Sequence, residues 1–127
     1  MTYHRTENKE EILRERNCNR RKLVEKDRKK TNVVDIHPQN SKPHEKKKFE
    51  LCWKLEQENK KYICEARFND RDLRADIYVL DDDELLEIES SEYELQDRKN
   101  QYPESKTWVY PLWNEEREVI RLSNHYK

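Results

Sequence analysis

Apolar positions are unevenly placed along this chain. Over the first 45 residues they are few, and Ile12, Leu13, Leu23 and Val24 are the main ones in a run rich in Glu, Arg and Lys. So little apolar surface supports at most a marginal helix that needs a partner to stay folded. Pro38 and Pro43, with Asn, Gln and Ser between them, mark residues 31–43 as a linker with room for one short strand at Val33–Ile36. From His44 the pattern becomes helical: Phe49, Cys52 and Trp53 share a face with Leu51 and Leu55 beside it, which predicts a helix over His44–Glu58 ended by Asn59-Lys60.

Strand signals follow. Tyr62–Phe68, Leu73–Leu80, Glu84–Glu89 and Thr107–Leu112 read as strands, with turns at Asn69–Asp72 and Asp81–Asp83. Ser91-Glu92-Tyr93-Glu94 has the form of a capping box, so a helix starts there and runs to about Tyr102, before Pro103. Asn114 is placed to cap a short last helix, Glu115–Leu122. The expected architecture is an α/β (α+β) domain over residues 44–127, with elements in the order α-β-β-β-α-β-α. A basic, flexible or partly helical arm and linker, residues 1–43, precedes it.

Composition sharpens this picture in three places. The chain of 127 residues is 32% hydrophobic and 43% charged, too polar for all of it to pack at ordinary density. Glycine is absent, so positive-φ positions fall to Asn, Asp or other residues, and glycine-rich phosphate loops are excluded. Cys18, Cys52 and Cys64 form no CxxC pair and no zinc motif with the four histidines, and Cys52 and Cys64 fall at core-like positions as reduced thiols. No apolar run has the length of a signal sequence or membrane span, so the expectation is a soluble, cytoplasmic protein with no membrane partner.

Charge separates along the chain. Residues 1–30 carry eleven Lys/Arg against six Asp/Glu, a net of +5, whereas residues 61–127 carry ten against seventeen, a net of −7. A basic arm on an acidic domain fits attraction to phosphate combined with a carboxylate cluster, and a solvated tail is the plainer reading. Arg20, Arg21 and Lys22 are the arm's candidates for phosphate contact.

The acidic candidates lie on the strands. In Arg74–Leu80, alternation puts Asp76 on one face and Ala75, Ile77 and Val79 on the other; in Leu85–Glu89, Glu87 and Glu89 share a face. With a hairpin about Asp81–Asp83, the three carboxylates converge. They repel unless a cation neutralises them, and oxygen ligands at that density suit Mg²⁺ or Mn²⁺. Ordinary surface acids on an exposed sheet face are the alternative reading of the same spacing.

Arg74-Ala75-Asp76-Ile77, followed after about ten residues by Leu86-Glu87-Ile88-Glu89-Ser90, resembles the PD-(D/E)xK nuclease pattern, closest to archaeal and mobile-element branches with E-x-E in place of E-x-K. The resemblance covers residues 44–112 and implies a restriction-endonuclease-like αβββαβ core with a mixed sheet flanked by helices. It implies metal-dependent hydrolysis of nucleic acid, DNA before RNA, with Asp76 and Glu87 as ligands of Mg²⁺ or Mn²⁺. Glu89 stands where the pattern has lysine, so it either joins the metal or marks a catalytically inactive module that binds nucleic acid or a protein partner in replication or regulation of a virus or plasmid. Lys99, on the helical face of Leu95 and Tyr102, is the candidate to replace the lysine. Glu45 on the first helix and Glu65 on the first strand are further metal candidates, His44 and the flanking Arg71 and Arg74 are candidates for phosphate contact, and a homodimer is the assembly the resemblance suggests.

Overall fold

The structure, a computed structural model, describes residues 9–98, 101–103, 106–114 and 118–122. Two helices, α1 (Lys9–Arg20) and the single turn α2 (Glu25–Arg28), precede the long helix α3 (Lys42–Gln57). Strands β1 (Tyr62–Arg67), β2 (Arg74–Val79) and β3 (Glu84–Glu89) follow, then α4 (Glu92–Arg98), β4 (Thr107–Pro111) and β5 (Ile120–Arg121). The five strands form one mixed sheet in the order β1-β2-β3-β4-β5. β3 and β4 run parallel across α4, and every other neighbouring pair is antiparallel.

Local chemistry accounts for the element ends. Ser41 Oγ accepts the His44 N–H and Pro43 sits in the first turn, which starts α3 two residues before the periodicity predicts. Ser91 Oγ accepts the Glu94 N–H, so α4 starts where the capping signature places it. Without glycine, the left-handed positions fall to Asn32, Asn59, Glu65 and Asp83. Asn59 and Asp83 close the turns after α3 and before β3. Asn32 at φ 57° makes both backbone and side-chain bonds to Tyr62 and holds the start of β1.

The sheet is buried on both faces. α3 covers one with Leu51, Cys52 and Leu55 against Tyr62, Cys64, Ile77, Val79, Leu86 and Ile88. Leu95, Tyr102 and Leu23 cover the other, against Ile63, Ala66, Ala75, Tyr78, Leu85, Val109 and Ile120. The faces do not follow plain alternation: Ala75 packs on the α4 side, whereas Ile77 and Val79 pack on the α3 side. Opposite them Cys64 and Ala66 divide in the same way, because Glu65 between them has φ 51° and interrupts the β conformation.

Three further expectations differ from the structure. Val33–Ile36 forms no strand. Ile120–Arg121 pairs with Trp108–Val109 as a strand rather than ending a helix, while residues 115–117 lie outside the described residues. Phe49 and Trp53 are not on the packing face of α3, which is instead His44, Lys48, Leu51, Cys52 and Leu55.

The segment before α3 is partly helical, and its stretch from Leu23 to Arg28 packs on the sheet. Leu23 is fully buried in the core and bridges Phe68, Val24 N–H donates to Arg67 O, and the Asp27 carboxylate takes both the backbone N–H and the guanidinium of Arg67. Burial of Asp27 opposes its charge, but the Arg67 contacts outweigh that and hold its pKa below the usual carboxylate value. α1 buries no side chain and is held by polar bonds, Arg16 to both oxygens of Asp81 and Asn19 to Leu80 O. One large buried side chain therefore seals this segment. Leu23→Ala is expected to cost about 2–5 kcal/mol in urea unfolding. Loss of under about 0.5 kcal/mol, the range of surface substitutions, would show the segment to be a detachable arm.

Candidate functional site

The β2–β3 ladder stops short. Its pairs run from Val79–Glu84 to Ile77–Leu86 and do not continue to Asp76 and Glu87. There, side chains replace the missing backbone bonds. Asp76 N–H donates to Glu87 Oε1 at 3.3 Å, and Ile88 N–H donates to Asp76 Oδ2 at 2.7 Å. Each carboxylate thus satisfies the backbone of the neighbouring strand, and the two acids are locked together between parting strands. On the other side of β2, the Glu65–Asp76 position is likewise skipped in the β1–β2 register.

Glu87 is 3% exposed, and its second oxygen, Oε2, is buried without a hydrogen-bond partner. Burial first, and then the negative charge of Asp76, push its pKa well above the usual carboxylate range. Glu89 is 1% exposed, and its Oε2 accepts the Tyr102 hydroxyl at 2.6 Å. The same burial and acidic neighbours push the Tyr102 phenol far upward. Tyr102 comes from beyond α4, so the helix-side core fixes the orientation of Glu89.

The N-terminal turn of α3 approaches from the other side. His44 Nε2 lies 3.3 Å from Asp76 Oδ2, and its Nδ1 lies 3.2 Å from Glu45 Oε2. Burial opposes protonation of His44, but these two carboxylates outweigh it and raise its pKa. Next comes Lys48, 1% exposed, with Nζ at 2.9 Å from Glu45 Oε1 and 3.3 Å from Glu65 Oε2. Its pKa is raised as well, the two glutamates overcoming the burial that disfavours its charge. Glu65 also faces Arg74 Nε at 3.2 Å. The left-handed backbone of Glu65, a conformation costing on the order of 1–3 kcal/mol, accompanies a side chain held by these two cations.

These groups border an open cleft of about 870 Å³, lined by His44, Asp76, Glu87, Glu89 and Tyr102 on its floor and by Arg67, Arg71 and Arg74 along its wall. The three arginines are roughly half exposed and are paired with Asp27, Asp70 and Glu65 respectively. Gln39, Asn40 and Gln101 add amides. The cleft therefore has an acidic floor and a basic wall, with hydrogen-bonding groups at its rim.

Of the residues expected at the site, Asp76, Glu87 and Glu89 come together, with Arg71 and Arg74 beside them. Glu45 and Glu65 both pair with Lys48, and Glu45 also reaches His44 and Glu65 reaches Arg74. Among the described residues, no group of three or more His, Cys, Asp or Glu side chains is arranged to hold a metal. Of the carboxylate oxygens of Asp76, Glu87 and Glu89 at the cleft, Glu87 Oε2 is buried without a hydrogen-bond partner. Arg20, Arg21 and Lys22 do not line this cleft: Arg20 bonds Asn17, Lys22 pairs with Asp83, and Arg21 and Lys22 border a second groove that shares Phe68, Arg71 and Leu73 with it. Lys99 lies outside the described residues.

Sequence reasoning missed Lys48. Its signal was present as the fourth residue after His44 and the third after Glu45, on the stripe that continues to Leu51, Cys52 and Leu55. Taking Phe49 and Trp53 as the buried face turned the helix the wrong way and left Lys48 off the packing surface.

The pKa of Glu87 gives a testable sign. A carboxyl whose pKa rises on folding binds its proton more tightly in the native state, so it stabilises the fold below the ordinary carboxylate pKa and loses that contribution as pH rises toward the folded value. Glu87→Gln keeps an acceptor for Asp76 N–H and cannot ionise. In EDTA it is expected to melt close to wild type near about pH 4 and above wild type at neutral pH. A lower melting temperature at neutral pH would contradict a strained buried carboxylate. Comparison of the chain with protein-family models, with curated proteins and with solved structures returns no match, so the chemistry of the site is read from its own geometry.

Proposed function

We propose that this cleft is the active site of a metal-dependent nuclease that hydrolyses phosphodiester bonds of nucleic acid, DNA before RNA. The observation that carries the reading is the Asp76–Glu87 pair, clamped across the parted β2 and β3, with Glu87 Oε2 buried and unpartnered. A buried carboxylate oxygen of this kind is costly unless it is protonated or faces a cation. The order α3-β1-β2-β3-α4-β4 supports the same reading, since it is the αβββαβ order of the restriction-endonuclease-like core that the motif implies.

In this reading Asp76 and Glu87 hold Mg²⁺ or Mn²⁺, hard cations that keep part of their water when bound by one or two carboxylates. When bound, the ion supplies an acidified water and charge neutralisation at phosphate. The chain's own groups do the rest. Arg67, Arg71 and Arg74 attract the phosphate backbone along the wall. The Ile88 N–H and His44 fix the orientation of the Asp76 carboxylate, and Tyr102 fixes Glu89. Lys48 and Arg74 offset the charges of Glu45 and Glu65 beside the floor, so that two further negative charges do not act against a polyanionic substrate.

A specific observation favours the second reading, a catalytically inactive module that binds nucleic acid or a protein partner. Glu89 occupies the lysine position of the motif and is held there by the Tyr102 hydroxyl. Incubation with plasmid, linear and branched DNA and with RNA, in Mg²⁺, Mn²⁺ or EDTA, separates the two. The nuclease reading expects cleavage with metal and none in EDTA, reduced about 10²-fold or more in Asp76→Asn. Binding without cleavage of any form would establish the inactive module, and cleavage by Asp76→Asn at the wild-type rate would remove Asp76 from the site.

A further inference from the structure

Cys52 and Cys64 take no part in the chemistry proposed above, yet their sulfurs stand 3.4 Å apart in the core, one on α3 and the other on β1. A buried thiol is often no more than a small hydrophobe. Here the contact belongs to a series of side-chain contacts between the same helix and strand. One turn before Cys52, Lys48 Nζ lies 3.3 Å from Glu65 Oε2, and one turn after it the Tyr62 hydroxyl donates to Glu56 Oε2 at 2.9 Å. The pairs Lys48–Glu65, Cys52–Cys64 and Glu56–Tyr62 are thus successive rungs between α3 and β1, with the sulfurs in the middle. The polar rungs on either side hold helix and strand in register and keep the two thiols face to face. Bonded sulfurs stand about 2.05 Å apart, so closing this pair needs a shift of about 1.4 Å.

The two sulfurs differ in their access to solvent. Cys52 lines, with Val34, Phe49, Trp53 and Tyr62, a surface groove of about 440 Å³, and Cys64 does not. The contact with Cys52 first, and burial second, push the Cys64 thiol up, so it keeps its proton. Cys52 is therefore the sulfur that meets a small oxidant, and Cys64 is the thiol that resolves the product. We propose that Cys52 and Cys64 are a redox pair, which a hydroperoxide closes into a disulfide that ties α3 to β1. The Cys52 sulfur attacks a peroxide oxygen and the O–O bond breaks. Cys52 becomes a sulfenic acid, and the leaving oxygen departs as water with the thiol proton. The Cys64 sulfur then attacks the Cys52 sulfur, the S–O bond breaks, and hydroxide leaves with the Cys64 proton as a second water. The two thiols give up two electrons, which the peroxide gains. The bond fixes to the sheet the helix whose first turn holds His44 against Asp76. The proposal does not depend on the nuclease reading.

The test treats the full chain with hydrogen peroxide, in a Cys18→Ser background that removes the exposed thiol of α1. Intact mass and peptide mapping should show the loss of two hydrogen masses and a Cys52–Cys64 cross-link, both reversed by dithiothreitol. The cross-link closes a loop in the unfolded chain, so the oxidised form should melt above the reduced form by about 5 °C or more. Cys64→Ala, which removes the resolving thiol, should accumulate a sulfenic acid on Cys52 that dimedone captures. Cys52→Ala should leave Cys64 unmodified over the same exposure. A chain whose two thiols remain open to alkylation after peroxide treatment and unfolding would overturn the proposal. So would oxidation of Cys52 past sulfenic acid with no cross-link, or a cross-linked form that melts below the reduced one.

Discussion

Where β2 and β3 part, two carboxylates stand in for backbone. Asp76 and Glu87 each accept an N–H from the opposite strand, which closes a ladder that would otherwise leave buried donors unsatisfied. The cost is two acids held side by side away from water. Much of the surrounding architecture answers that cost. His44 at the start of α3 lies against Asp76, Glu87 is driven toward its protonated form, and Tyr102 donates to Glu89 two residues further along β3. The adjoining acids Glu45 and Glu65 are neutralised by Lys48 and Arg74 rather than left to add to the charge.

This arrangement explains why α3 has a polar buried stripe at one end and an apolar one at the other. Its first turns present His44 and Lys48 to the site, and its later turns present Leu51, Cys52 and Leu55 to the sheet. Replacing Lys48 with an apolar residue would improve the packing pattern and strand two carboxylates, so the lysine is a consequence of the acids around it. The N-terminal segment has a matching role. Asp27 grips Arg67 of the wall, and Val24, Gln39, Asn40 and Ser41 line the same cleft, so the cleft is built partly from residues that precede α3.

Strong local signals made most of the fold legible in the sequence. The serine cap of α4, the Asp-rich turn before β3 and the strand periodicities fixed the order of elements from α3 to β4, and the spacing of Asp76, Glu87 and Glu89 on two adjacent strands located the acidic floor. What stayed hidden depended on tertiary contact. The buried role of Leu23 is invisible in so polar a run, because one side chain sealing a core leaves no period. Alternation failed at Glu65 and Asp76, where a left-handed residue and an interrupted ladder exchange the faces of the sheet. The buried face of α3 was misread because two large aromatic residues outweighed a lysine and a histidine in any hydrophobic pattern, although the charges were inside and the rings outside.

The account turns on whether the Asp76–Glu87 pair takes up a divalent cation. Electron paramagnetic resonance of Mn²⁺ titrated into the full chain counts bound ions directly, without requiring turnover or substrate. One bound Mn²⁺ per chain is expected in wild type, lost in both Asp76→Asn and Glu87→Gln and retained in Glu45→Gln, whose carboxylate is engaged with Lys48. Equal Mn²⁺ binding by wild type, Asp76→Asn and Glu87→Gln, or no binding by any of them, would contradict it.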